Sequence, residues 1–259
     1  MKFGVCGKQP QFAAAAAAGL DYIELPLAKI RDLDEAALAQ MRSELKELHL
    51  PAECCNQFFH GVTELYGDEA AVLRGAAESL KLAASFGAKI AVVGSGKARA
   101  VPEGMEKAEA TDRFLRLMDR IGDMAADAGI EIAIEPLNYD ETDFINTVTD
   151  CMTFCRTLGN KNVGCLVDFF HFYRNGETLD ELDALRPGEL LHAHLARPDP
   201  DRGAPQPEDD EVLKTWAAKL RQIGYDRRLS LECGWAKQFD ALIGPAAARL
   251  RVFGGTGDV

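Results

Sequence analysis

The chain has 259 residues, with 29 Lys and Arg against 41 Asp and Glu, a formal net charge of −12. That balance argues against nucleic acid or an anionic membrane as partner, because both need cationic side chains to neutralise phosphate. At 47% hydrophobic and 27% charged residues the composition is that of a soluble globular domain, and the length suits a single domain spanning residues 1–259. Seven scattered cysteines, an odd number, fit a reducing cytoplasm rather than a secreted disulfide framework.

In chain order, Lys2–Cys6 reads as a strand, so no secretory signal is expected there. The Ala13–Ala18 run reads as a tightly packed helix, since a membrane span needs roughly 20 apolar residues. Strands follow at Tyr22–Leu25 and Ala52–Asn56, where Cys54 and Cys55 point to opposite faces and cannot chelate one ion together. The aromatic stretch Asn56–His60 has two readings: a cover for substrate, or a loop anchored by buried Phe58 and Phe59. Helical periodicity over Glu69–Ser85 and Lys107–Ala128 flanks a strand at Lys89–Val93. Strands at Glu131–Glu135 and Gly164–Asp168 enclose a helix in which Cys151 and Cys155, four apart, act as buried small hydrophobes. Leu190–Leu195 is a strand, Arg197–Asp210 is either a mobile surface loop or a lid, Glu211–Ile223 is a helix and Leu229–Cys233 the last strand. Gly19, Gly87, Gly129, Gly159 and Gly224 close helices just before strands.

Eight strands alternating with helices imply parallel pairing through right-handed crossovers. The expected fold is therefore a single (β/α)₈ TIM barrel. A doubly wound sheet is the runner-up, but Gly94-Ser95-Gly96 is too short for a dinucleotide-binding GxGxxG.

Alternation along the last four strands carries the functional reading. It sends Ile132 and Ile134 outward and Glu135 inward; Cys165 and Val167 outward and Asp168 inward; Leu191, Ala193 and Leu195 outward and His192 and His194 inward; Leu231 outward and Glu232 inward. Four ionisable groups thus converge at the carboxyl end, where barrel enzymes build their sites. Three carboxylates in one small volume repel unless a cation lies among them. Oxygen-rich ligation with one imidazole suits Mn²⁺, Mg²⁺ or Co²⁺ better than a thiolate-type zinc site. Of the two histidines, His194 is favoured over His192 because it lies nearer the mouth.

The segments Ile132-Ala133-Ile134-Glu135-Pro136-Leu137-Asn138, Val167-Asp168-Phe169-Phe170-His171, His192-Ala193-His194 with Arg202-Gly203, and Glu232-Cys233-Gly234-Trp235 resemble the xylose-isomerase-like barrels of carbohydrate metabolism. Within these, the likeness is to ketose 3-epimerases of the D-tagatose 3-epimerase type and to hydroxypyruvate isomerases. The resemblance implies one Mn²⁺-like ion held by Glu135, Asp168, His194 and Glu232, with Glu135 and Glu232 doubling as acid and base. It implies that Glu141, His171 and Arg202 hold substrate oxygens, that the substrate is a small sugar or polyol, and that the assembly is a homodimer. Proton transfer through a metal-stabilised enediolate then gives an isomerase or epimerase. Trp235 is expected to wall the pocket. The related three-zinc endonucleases are disfavoured, because Asn56 and Gly94-Ser95 stand where strand ends would supply histidines. An inosose dehydratase-like lyase and a non-catalytic carbohydrate-binding barrel are the alternatives.

Overall fold

The computed structural model describes residues 1–59, 65–198 and 200–254. The eight apolar runs are strands: β1 (Lys2–Cys6), β2 (Tyr22–Pro26), β3 (Ala52–Asn56), β4 (Ile90–Val93), β5 (Glu131–Ile134), β6 (Val163–Asp168), β7 (Leu190–Leu195) and β8 (Arg228–Leu231). They pair in parallel in sequence order, and β1 meets β8 to close the barrel. The fold is the expected (β/α)₈ barrel. Around it run α1 (Phe12–Ala17), α2 (Leu27–Ile30), α3 (Glu35–Glu47), α4 (Glu69–Phe86), α5 (Gly96–Arg99), α6 (Lys107–Asp127), α7 (Val148–Leu158), α8 (Phe169–Arg174), α9 (Asp210–Gln222) and α10 (Phe239–Arg249). Among the described residues no helix is long and apolar enough to cross a membrane.

Local chemistry sets the helix limits. The Asp68 carboxylate accepts from the amides of Ala70 and Ala71 to start α4, and Gly87 ends it at φ +86°. Thr147 and Asp150 form a reciprocal capping box at the head of α7, and Gly159 closes its foot at φ +68°. On α6 the buried residues Phe114, Leu117, Met118, Ile121 and Ala125 recur at threes and fours and face the barrel wall.

Two apolar layers result. A continuous core fills the space between strands and helices, while Tyr22, Cys54, Ile90, Val92, Ala133, Leu166 and Leu191 pack inside the barrel. Cys54 lies inside and Cys55 outside, as alternation requires. Leu191 departs from the expected outward position. The β6–β7 register slips there, with Cys165 opposite Leu190 but Leu166 opposite His192, so Leu191 is an extra residue that turns inward. Gly164 makes the turn possible: a Cβ on it would lie 2.7 Å from Leu191 Cγ. Nearer the carboxyl ends the barrel interior becomes polar, with Glu24, His192, His194 and Ser230 all fully buried.

Gly4 shows how tightly the interior is filled, since a Cβ there would lie 2.4 Å from the Tyr22 ring. Gly4→Ala is expected to cost about 1–3 kcal/mol through overpacking, read as a lowered midpoint in urea denaturation. An unchanged midpoint would mean that the ring yields freely.

Candidate active site

Four consecutive strand ends build the site. Asp168 is the last residue of β6 and His194 lies within β7. Glu135 and Glu232 sit one position past β5 and β8, yet their amides continue the ladder to Val93 O at 3.1 Å and Leu195 O at 3.0 Å. The strands end one and two residues earlier than their sequence patterns suggest, without displacing either carboxylate from the mouth. One donor atom from each of Glu135, Asp168, His194 and Glu232 lies within 4.8 Å of all the others. His194 Nδ1 is central: 2.9 Å from Glu232 Oε2, 3.2 Å from Glu135 Oε1 and 3.9 Å from Asp168 Oδ2. Asp168 divides its oxygens between two tasks. Oδ1 accepts the Phe170 amide at 2.7 Å to cap α8, leaving Oδ2 for the cluster.

The opposite edge of the His194 ring meets a residue that the strand-end pattern overlooked. Glu24, fully buried on β2, places Oε1 3.0 Å from His194 Nε2 and Oε2 2.8 Å from His192 Nε2. Ser230 Oγ donates to Glu24 Oε2 at 2.6 Å and lies 2.8 Å from the Tyr22 hydroxyl. A serine hydroxyl has one proton, so Tyr22 donates to Ser230 and Ser230 donates to Glu24. Burial opposes charge on Glu24, but His194 and His192 outweigh it and hold its carboxyl well below the usual range. An ionised Glu24 orients both imidazoles with Nε2–H toward itself, which turns Nδ1 of His194 to the cluster. His192 therefore supports the site from one layer below and is not among the four clustered groups.

The two candidate acid/base carboxylates have different environments. Burial and the Glu232 charge raise Glu135 above the ordinary carboxylate value. Burial acts the same way on Glu232, but Arg202 and His194 overcome it and lower the net value. Asp168 is also held low, with Arg202 the main cation opposing its burial. His194 is raised well above an ordinary imidazole because Glu24, Glu232 and Glu135 outweigh its desolvation.

The three residues expected to hold substrate come to the same cavity. Together with Glu135 and Glu232 of the cluster they line a space of about 380 Å³ reaching from Asn56 and Gly94–Ala98 to Glu141, His171 and Arg202, at the small end of ligand cavities. The Asn138 side-chain amide donates to His171 Nδ1 at 2.8 Å, which leaves the proton on Nε2. That Nε2 is buried without a hydrogen-bond partner, 3.8 Å from Asp168 Oδ2 and 4.0 Å from Glu135 Oε1. Asn138 also donates to Glu141 Oε1 at 3.0 Å, so one amide sets both side chains. Arg202 Nη2 contacts Asp168 and lies 2.5 Å from Glu232 Oε2, and its guanidinium stacks over Phe170 at 5.0 Å.

The segment after β7 is a pinned arm that carries Arg202. Arg197 N donates to Gly203 O at 3.0 Å, Gly234 N to Arg202 O at 2.6 Å, and Arg197 pairs with Glu208 and Asp209. Asp199 within it, like His60 in the aromatic loop, lies outside the described residues. Phe58 and Phe59 are buried and pack edge-to-face at 5.0 Å, which is the anchoring reading; Phe59 also reaches the cavity. Trp235 does not wall the pocket as expected. It packs against Phe239 at 4.8 Å instead, because the backbone turns sharply after Gly234 into positive φ at Ala236 and Lys237.

Two further residues were silent in the sequence reading. Period-two alternation applied to β2 would have found Glu24, which shares the inward face of Tyr22. Arg99 has no such signal: fully buried, it donates to the carbonyls of Glu135 at 2.9 Å, Val93 at 3.3 Å and Ile145 at 3.5 Å. It ties the ends of β4 and β5 to the loop that carries Asn138 and Glu141.

Residues 12–251 match the family described as the xylose isomerase-like TIM barrel. The chain is similar to the D-psicose 3-epimerase of Agrobacterium fabrum, 26% identical over 217 residues that make up 79% of this chain and 70% of that one. It is similar to the ketose 3-epimerase of Arthrobacter globiformis, 25% identical over 218 residues, 81% of this chain and 71% of the other. A crystal structure of a D-psicose 3-epimerase in the presence of D-fructose superposes with a TM-score of 0.81 at 23% identity, covering 98% of this chain and 100% of that one. By fold and by sequence, the chain belongs to the xylose isomerase-like TIM barrel family.

Proposed function

We propose that this protein is a divalent-metal-dependent sugar isomerase/epimerase acting on a ketose or related small polyol carbonyl, with C3 epimerisation as the first reaction to test. The observation that carries the reading is the placement of Glu135 and Glu232, two of the four clustered groups, in the lining of one small cavity, where their environments shift them in opposite directions. Environments that push two carboxyl groups apart are how one site keeps an acid and a base at the same pH. The curated relatives named as ketose 3-epimerases support the substrate class.

The donor set fits a hard or borderline divalent ion. It comprises three carboxylates and one imidazole nitrogen within 4.8 Å of each other, and with an ion bound at Nδ1 Glu24 would hold the remaining His194 proton on the far nitrogen. Glu135, Asp168, His194 and Glu232 would hold the ion, Mn²⁺ first. When bound, the ion supplies positive charge for the oxygen that becomes negative as the neighbouring carbon loses its proton. The remaining steps belong to the chain. Glu232, kept ionised, accepts the carbon proton. Glu135, shifted upward by its burial and the Glu232 charge, returns a proton from a strand separated from that of Glu232 by two others, inverting the carbon. His171 Nε2–H and Arg202 hold substrate oxygens, and Glu141 accepts a substrate hydroxyl at the rim.

The direct test is turnover by EDTA-stripped protein, before and after Mn²⁺ is restored, on free ketoses, hydroxypyruvate and inosose. Metal-restored inversion of one ketose, with solvent deuterium entering the product at the inverted carbon, is expected. Loss of water from inosose with no ketose conversion would replace the proposal with a lyase. Glu135→Gln and Glu232→Gln should each lower kcat by about 10²–10⁴-fold while thermal melts stay close to the parent; near-normal turnover by the double variant would refute the assignment.

Two subtler substitutions probe the support of the site. Glu24→Gln removes the charge that orients His194, and Mn²⁺ affinity measured by calorimetry should weaken by roughly 10–100-fold. Unchanged affinity would show that the ring needs no such support. A Cβ on Gly94 would lie 2.4 Å from Glu135 Oε2, the far end of a flexible side chain. Gly94→Ala should therefore lower turnover with little change in unfolding midpoint, and equal turnover would mean that the carboxylate position is not critical.

A further inference from the structure

The described residues hold a second group of metal-binding side chains, away from the cavity lining and made of sulfur alone. Cys151 and Cys155 lie one turn apart on α7, and Cys165 faces them from the outer side of β6. Their Sγ atoms lie within 4.8 Å of one another, with Cys165 3.9 Å from Cys155. Three sulfurs around one trigonal ion, with metal–sulfur bonds near 2.3 Å, stand about 4 Å apart, so the cluster has the size of such a site before any ion enters.

The surroundings favour the same use. Cys151 and Cys165 are buried, whereas Cys155 is only half-buried and opens the cluster to solvent. The neighbouring carboxylate, Glu189, is occupied by Arg156 at 2.8 and 2.7 Å, which leaves sulfur as the available donor. The neighbouring Cys151 and Cys165 sulfurs pull the Cys155 thiol down to about 5, giving the cluster one sulfur poised to bind.

We propose that Cys151, Cys155 and Cys165 form a three-thiolate site for one soft, thiophilic metal ion, distinct from the carboxylate–imidazole centre. Binding forms three metal–sulfur bonds and releases to solvent the protons that the sulfurs still carry. No electron moves and no co-reactant is needed. Softness sorts the two sites, since Mn²⁺ and Mg²⁺ prefer oxygen donors while thiolates select soft ions. The ion would join α7 to β6 close behind the catalytic strand ends. Cys151 Sγ already donates to the carbonyl of Ile134 at 3.4 Å, one residue before Glu135, and Cys165 precedes Asp168 by three.

The test titrates Mn²⁺-loaded protein, kept reduced with a phosphine and free of added thiols, with Cd²⁺. Ultraviolet sulfur-to-cadmium charge transfer and the melting temperature are the readouts. A band that saturates at one equivalent, with a rise in Tm as expected for an ion bound only to the folded state, supports the site. Cys155→Ala and Cys165→Ala should each abolish that band, whereas Cys233→Ala should keep it. Cys155→Ser, at the half-buried position, repeats the test should an alanine variant melt early. No band at several equivalents, or a band unchanged in the Cys155 and Cys165 variants, overturns the proposal. The band reports sulfur alone, so the result does not depend on whether the carboxylate centre takes Mn²⁺.

Discussion

The site depends on balancing negative charge in a confined space. Glu135, Asp168 and Glu232 bring carboxylate oxygens to within 4.8 Å of one another at the mouth of the barrel. Two such charges at that separation repel by about 3.5 kcal/mol at an effective dielectric near 20. In this structure the opposing charge comes from His194 and Arg202, the cations that face all three carboxylates. The same balance sets the protonation states: Glu232 and Asp168 lie closest to Arg202 and stay ionised, while Glu135, further from it, is raised. The two carboxyl groups are thus shifted in opposite directions by where one guanidinium lies, although both are glutamates at equivalent strand ends.

A cluster of this kind holds its geometry only if its supports are rigid, and they come from two directions. From below, Tyr22, Ser230, Glu24 and His192 form a hydrogen-bonded layer inside the barrel that fixes the His194 ring. Its charges lie where water cannot screen them, so each must be satisfied by another member. From the side, Arg99 clamps three carbonyls and fastens the Glu135 backbone to the loop that presents Glu141. The missing side chain of Gly94 then leaves the Glu135 carboxylate room against the end of β4.

The arm after β7 explains how a distant arginine takes part. Arg202 has positive φ, at 50°, and its carbonyl is bound by the amide of Gly234, two residues after the fourth cluster residue. Gly234 admits this approach because a Cβ there would meet Asp201 O at 2.7 Å. The connection joins the loop that supplies the cation to the strand end that supplies Glu232, so the two are positioned together.

Much of this architecture was legible in the residues themselves. Strand–helix alternation determined the barrel, and period-two alternation sent Glu135, Asp168, His194 and Glu232 to one face, because both signals depend on backbone geometry that each segment carries alone. Helix ends at Gly87 and Gly159 were readable for the same reason. The tertiary structure decided what depends on neighbours distant in the chain. The β6–β7 slip that turns Leu191 inward arises from pairing between strands, which no single strand encodes. Trp235 turns away because of the backbone path after Gly234, and Arg99 is buried because carbonyls from three separate segments converge on it. The opposite shifts of Glu135 and Glu232 were likewise set by closure of the barrel. A carboxylate's pKa depends on which charges surround it, and Arg202 and His194 become its neighbours only when the barrel is complete.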